Sequence, residues 1–114
     1  QMTLQELGTI MQYQIPVKII VLNNQFLGMV RQWQQLFFEK RYSFTEMTNP
    51  DFIGIARAFA IPAIKVDDRQ YLDSSLQTLL AEPGPGFLEV VVEKEENVFP
   101  MVPSGAGIAE IRLK

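Results

Sequence analysis

One run of six residues, VKIIVL at 17–22, limits the fold more than any other feature of the chain. It is β-branched and nearly continuous, broken only by Lys18. Runs of that kind suit a parallel strand covered on both faces. Parallel neighbours cannot be joined by a tight hairpin and need a crossover, usually a helix. A chain built around such a strand therefore needs helices on either side of it and further strands to pair with.

Both are readable. TLQE at 3–6 has the capping-box pattern, and Leu4, Leu7 and Met11 share a face, which predicts a helix over 4–13 with Gly8 as its weak point. Pro16 closes it. Residues 28–38 return to helical spacing, with Met29, Trp33 and Phe37 four apart. RYSFTEMT at 41–48 is irregular. NPDF then reads as a helix start, with Asn49 as N-cap, Pro50 at the first helical position and Asp51 in the first turn. Phe52, Ile55, Ala56 and Phe59 form that helix's apolar face. AIKV at 63–66 is a short strand. YLDSSLQTLLA at 71–81 is a helix with Leu72, Leu76, Leu79 and Leu80 facing inward, and EPGPG ends it. FLEVVVE at 87–93 is a third strand. After KEEN comes a tail over 97–114, rich in Pro and Gly and without a clear period.

Strands alternating with helices place the chain in the α/β class, as a partial open parallel sheet with flanking helices. Three strands make a small sheet with exposed edges, and the chain opens without an initiator Met. Both lead us to expect a fragment of something longer. The opening QMTLQELG has neither the basic nor the apolar region of a signal peptide.

Composition removes several classes of function. The length of 114 residues is one domain's worth, and 47% hydrophobic with 20% charged residues is ordinary for a soluble chain. No apolar run approaches the roughly 20 residues of a membrane helix. The net charge is −3 and the basic residues are scattered, so neither nucleic acid nor a membrane is an expected partner. There is no Cys and no His, which excludes disulfides, zinc sites of the usual ligands and His-based triads. The lack of Cys fits a cytoplasmic protein.

Packing alone does not explain why the run ends in Asn23 and Asn24, just ahead of a helix. Ligands of open α/β sheets sit outside the carboxyl ends of the strands, near helix N-termini. The two amides could simply cap the next helix or fill a turn. Alternatively, an amide oxygen and nearby backbone carbonyls could hold Mg²⁺ beside a diphosphate, which brings its own negative charge.

The stretch VKIIVLNNQFLGMVRQW resembles the thiamine diphosphate-binding domain of acetohydroxyacid synthase (acetolactate synthase) large catalytic subunits. The double Asn is similar to the end of that superfamily's cofactor motif, which begins with Gly-Asp-Gly on a preceding strand. The likeness continues through NPDFIGIARAFAIPAIKV and PGPGFLEVVVEKEENVFPMVP into PSGAG, and covers essentially all of the chain. The resemblance implies strands 17–23, 63–66 and 87–92 with the C-terminal strand in the middle. It makes residues 1–114 the C-terminal part of the domain, without the Gly-Asp-Gly strand.

Further implications concern the site. The Asn24 side chain and the Phe26 backbone carbonyl would bind Mg²⁺. Gly28 would let the chain approach the cofactor, although a plain helix-start glycine explains it equally well. Met2 and Met29 would line the cofactor pocket, unless they are core methionines. Met29, Val30 and Trp33 would line the substrate pocket, with Trp33 favouring 2-oxobutyrate as acceptor. The implied reaction decarboxylates pyruvate and joins the two-carbon unit to a second 2-oxo acid, in branched-chain amino acid biosynthesis. No residue of this chain is expected to be catalytic, and the fragment alone is expected to be inactive. FAD, the pyrimidine-binding domain and its Glu belong to other parts of the family's enzyme. Implied partners are 2-oxo acids and further catalytic subunits in a homo-oligomer, with room for a regulatory small subunit. Two alternatives stay open at this point. One is another thiamine diphosphate enzyme, such as a catabolic acetolactate synthase, a pyruvate oxidase or a glyoxylate carboligase. The other is a non-catalytic assembly domain.

Overall fold

The computed structural model describes residues 2–113. They form two compact units, residues 2–24 with 48–92, and 25–47 with 93–113.

The first unit holds a three-stranded parallel sheet of β1 (Lys18–Asn23), β2 (Ala63–Val66) and β3 (Gly86–Val91), in the order β1-β3-β2. This is the expected order. Register runs from Lys18 opposite Gly86 to Asn23 opposite Val91, and Ala63 opposite Phe87 to Val66 opposite Val90. Residues 86–89 of the central strand are buried, as two-sided covering requires. The VKIIVL run behaves differently from its pattern. β1 is an edge strand whose Ile19 and Val21 pack into the core while Ile20 and Leu22 are exposed. Lys18, the break in the run, has a local reason. Its ammonium donates to the carbonyls of Glu82 (2.6 Å) and Gly84, tying the start of β1 to the chain just past the helix that precedes β3.

The helices of this unit are α1 (Glu6–Tyr13), α3 (Phe52–Ala58) and α4 (Leu72–Ala81), the last preceded by a 3-10 turn at Arg69–Tyr71. One core cluster gathers Leu7, Ala56, Ile61, Ala63 and Phe87, with Phe52, Ile55 and Phe59 against it. A second gathers Val66, Leu79 and Leu88, with Leu72 and Leu76. Leu80, expected to face inward, is exposed, because it falls one residue off that stripe.

Two helix starts differ from the expectation. α1 begins at Glu6, and its N-cap Gln5 makes no side-chain cap bond. Residues 2–5 form a turn in which the Glu6 amide donates to the Thr3 carbonyl (3.1 Å), so no capping box forms. α3 begins at Phe52, after both Asn49 and Pro50. Its N-cap is Asp51, whose carboxylate accepts from the Gly54 amide at 3.0 Å.

The second unit contains α2 (Gly28–Phe37), the irregular 38–47 segment and the chain beyond Val92. An antiparallel bridge joins Phe26 to Glu46, another joins Met101 to Arg112, and Ile108–Glu110 forms a 3-10 turn.

Candidate functional site

The two asparagines do different work. Asn23 is the last residue of β1 and is buried. Its Nδ2 donates to Glu89 Oε1 at 2.6 Å, and its Oδ1 accepts from Asn49 Nδ2 at 2.8 Å. Glu89 sits on the central strand with 4% of its surface exposed. A buried carboxylate is costly unless hydrogen-bonded, and Asn23 supplies such a bond. Asn49, read from sequence as a helix cap, instead completes this chain of polar side chains.

Asn24 is half-buried and lies beyond the strand. The left-handed turn that follows is taken by Gln25, at φ 57°, and Gly28 takes helical backbone as the first residue of α2. Gly28 is thus a helix-start residue, and the left-handed backbone falls on Gln25.

Phe26 is half-buried. Its bridge to Glu46 is of the kind in which neighbouring residues make the hydrogen bonds. Leu27 N donates to Thr45 O, and Met47 N to Gln25 O, both at 2.8 Å. Phe26's own carbonyl is therefore directed away from 45–47. Among the described residues no group of three or more His, Cys, Asp or Glu could hold a metal ion. The two candidate donors, the Asn24 amide oxygen and the Phe26 carbonyl, are neutral oxygens, a type that suits a hard cation beside a diphosphate.

α2 turns the usual amphipathic arrangement around. Met29 (52%), Val30, Trp33 (51%) and Phe37 are exposed, while Arg31 (0%) and Gln32 (1%) are buried. The residues expected in a substrate pocket, Met29, Val30 and Trp33, thus form one open apolar stripe. Trp33, Phe37 and Phe38 form one side of a cleft of about 280 Å³, and Pro103 and Ser104 the other. Met2, assigned by resemblance to the cofactor pocket, is 95% exposed in the turn before α1 and is no core methionine.

Three further residues escaped the sequence reading, Glu89 in the first unit and Arg31 and Gln32 in the second, and Asn49 was read only as a cap. Glu89 had a signal, as the one acidic residue inside FLEVVV. Arg31 and Gln32 had none, since both belong to a helix face that looks solvent-exposed.

A three-stranded parallel sheet flanked by helices, with a pair of asparagines at the carboxyl end of an edge strand, defines an α/β domain, the class in which ligands collect at that end of the sheet. The chain belongs to the family described as thiamine pyrophosphate enzyme, C-terminal TPP binding domain, whose model matches residues 1–90. It is 50% identical over 113 residues to an acetolactate synthase large subunit from Pyropia yezoensis, covering 97% of this chain and 19% of the relative. It is 49% identical over 114 residues to the acetolactate synthase isozyme 2 large subunit of Escherichia coli K12, covering 99% and 21%. A Rhodococcus jostii RHA1 thiamine diphosphate-dependent 4-hydroxybenzoylformate decarboxylase shares the fold, with TM-score 0.72 at 24% identity over 82% of this chain and 18% of that one. The chain thus spans about a fifth of the length of its relatives. Among the described residues no helix is long and apolar enough to cross a membrane.

Proposed function

We propose that the chain is the C-terminal part of the cofactor-binding domain of an acetolactate synthase, a cytoplasmic enzyme of branched-chain amino acid biosynthesis. The whole enzyme decarboxylates pyruvate and joins the two-carbon unit to pyruvate or 2-oxobutyrate. The observation that carries this reading is the near 50% identity, over almost all of this chain, to proteins of that name. The Gly-Asp-Gly strand, the pyrimidine-binding domain and the FAD-binding domain belong to the remainder of the whole protein. Further catalytic subunits in a homo-oligomer, and a regulatory small subunit, are partners of the whole protein.

Bound thiamine diphosphate supplies the electron sink for decarboxylation. This chain's residues bind and orient. The Asn24 amide oxygen and the Phe26 carbonyl would hold Mg²⁺, which neutralises diphosphate charge, and Asn23, tied to Glu89 and Asn49, fixes the strand end just before Asn24. Met2, Gly28 and Met29 border the cofactor. Met29, Val30 and Trp33 present an apolar wall to the acceptor 2-oxo acid, and no side chain of this segment transfers a proton.

The test is acetolactate formation from pyruvate by the whole enzyme, with thiamine diphosphate and Mg²⁺ each titrated. Activity that requires both, and an Asn24→Ala variant needing about 10- to 100-fold more cofactor, is the expected result. An enzyme indifferent to Asn24→Ala would remove Asn24 from the metal site. A whole enzyme that makes no acetolactate would overturn the functional reading.

A further inference from the structure

The buried side of α2 carries the wrong residues for a core. Arg31 and Gln32 are almost completely enclosed. Among the described residues no carboxylate pairs with Arg31, and its Nε has no hydrogen-bond partner. Its remaining nitrogens go to neutral oxygens. Nη1 donates to Gln35 Oε1 (2.7 Å), and Nη2 to the Glu96 carbonyl (3.0 Å) and Asn97 Oδ1 (2.7 Å).

Gln32 does more. Its Oε1 accepts from the Val98 amide at 2.8 Å, and its Nε2 donates to the Val98 carbonyl at 3.0 Å. The side-chain amide therefore engages both backbone groups of one residue, as a neighbouring strand would. The same Nε2 lies 3.1 Å from Met101 Sδ. A buried charge without a counter-ion is an expensive way to gain stability, and apolar residues of similar volume often serve at least as well. What the arrangement provides is position. It fixes segment 96–101 on α2 in a single register.

That register matters on the other side of the helix. Trp33 follows directly after the clamp pair and forms one wall of the cleft whose other wall is Pro103 and Ser104. The second wall hangs from segment 96–101. Downstream of it, Arg112 is bridged to Met101 and stacks over Phe37, 5.0 Å from the ring centroid. The wall of Pro103 and Ser104 thus leads out of the segment that Arg31 and Gln32 hold.

We infer that Arg31 and Gln32 are positioning residues that clamp segment 96–101 on α2 and so fix the width of the Trp33–Pro103 cleft, and with it the choice between 2-oxobutyrate and pyruvate as acceptor. The inference rests on the reading of Trp33 as an acceptor wall. A cleft that discriminates by one methylene depends on close contact on both sides. Releasing one wall relaxes the preference without touching the reacting atoms.

The experiment uses the whole enzyme with its cofactors and supplies pyruvate and 2-oxobutyrate together. The ratio of 2-aceto-2-hydroxybutyrate to 2-acetolactate is measured for the unmodified enzyme, Gln32→Met and Trp33→Leu. A ratio from one vessel does not depend on how much enzyme is folded, so a merely structural role leaves it unmoved. Gln32→Met keeps the volume and removes the amide, and is expected to lower the ratio about two- to tenfold. If Trp33→Leu shifts the ratio and Gln32→Met does not, the clamp is overturned and the cleft reading stands. If neither shifts it, the cleft reading falls and takes the clamp with it. Should Gln32→Met fail to fold, Asn97→Ala removes one acceptor of Arg31 from a half-buried position. A shift in the same direction supports the clamp, and an unchanged ratio overturns it.

Discussion

Asn23 and Asn24 are adjacent and chemically identical, yet exchanging each for alanine should have opposite consequences. Asn23→Ala removes a donor from the buried Glu89 carboxylate and an acceptor from Asn49. A hydrogen bond to a charged group contributes about 1.5–3 kcal/mol, and a neutral amide pair about 0.5–1.5 kcal/mol. Asn49 is only half-buried and can recover water, so the expected loss is about 2–4 kcal/mol. With a urea slope of about 1.5 kcal/mol per M for a chain of this size, the midpoint should fall by roughly 1.5–2.5 M. Asn24→Ala, beyond the strand end, should cost less than about 1 kcal/mol while weakening Mg²⁺-thiamine diphosphate binding in the whole enzyme. The assay pairs urea denaturation of both variants, followed by circular dichroism, with cofactor titration. Glu89→Gln supplies the control. It keeps an acceptor for Asn23 and removes the buried charge, so Asn23→Ala should cost less in that background. Equal costs in both backgrounds would show that the Asn23–Glu89 bond is not the source of the effect. A larger stability loss for Asn24→Ala than for Asn23→Ala would reverse the assignment of roles altogether.

Other outcomes follow from the same coordinates. Trp33→Leu in the whole enzyme should reduce the preference for 2-oxobutyrate by an amount equivalent to roughly 1–3 kcal/mol while acetolactate still forms; an unchanged product ratio with a lowered melting temperature would make Trp33 a packing residue. Asp51→Ala removes the α3 cap bond to Gly54 and should cost about 1 kcal/mol, whereas Asn49→Ala should not fray that helix; hydrogen exchange at Gly54 distinguishes them. The exposed edge of β1, with Ile20 and Leu22 open, should make the 114-residue chain self-associate at high concentration. Ile20→Lys should shift its sedimentation toward monomer, and a monodisperse unmodified chain would contradict the idea.

What could be read from the sequence divides along the line between local and distant causes. Strand 63–66 appears at its expected bounds because AIKV is short, apolar and flanked by turn residues. The parallel order follows from the alternation of elements together with the family resemblance. The Asn49 cap failed because the amide's partner is Asn23, 26 residues away, and no local pattern reports that. α2 shows the same limit more sharply. Periodicity located the Met29–Trp33–Phe37 stripe correctly, but a stripe does not say whether it faces inward. The carbonyls that draw Arg31 and Gln32 inside lie about 65 residues further on, in a tail with no period of its own. The resemblance singles out Asn24 and Trp33 as candidates, while the contacts of Asn23 with Glu89 and of Arg31 with segment 96–97 depend on partners more than 60 residues away.

The middle strand of the sheet is also the last one made. β1 and β2 do not pair with each other, and both depend on β3 for every ladder bond they form. During synthesis, then, the segment from α1 to α4 can form its helices but neither of these two ladders. The Asn23–Glu89 pair, 66 residues apart, cannot close until the ribosome has released β3. Contacts of such long sequence separation slow folding and prolong exposure of unpaired strands. A nascent chain arrested just before Gly86 should therefore be soft to protease between β1 and α4, and one extended far enough to release Val92 should become resistant there in a single step.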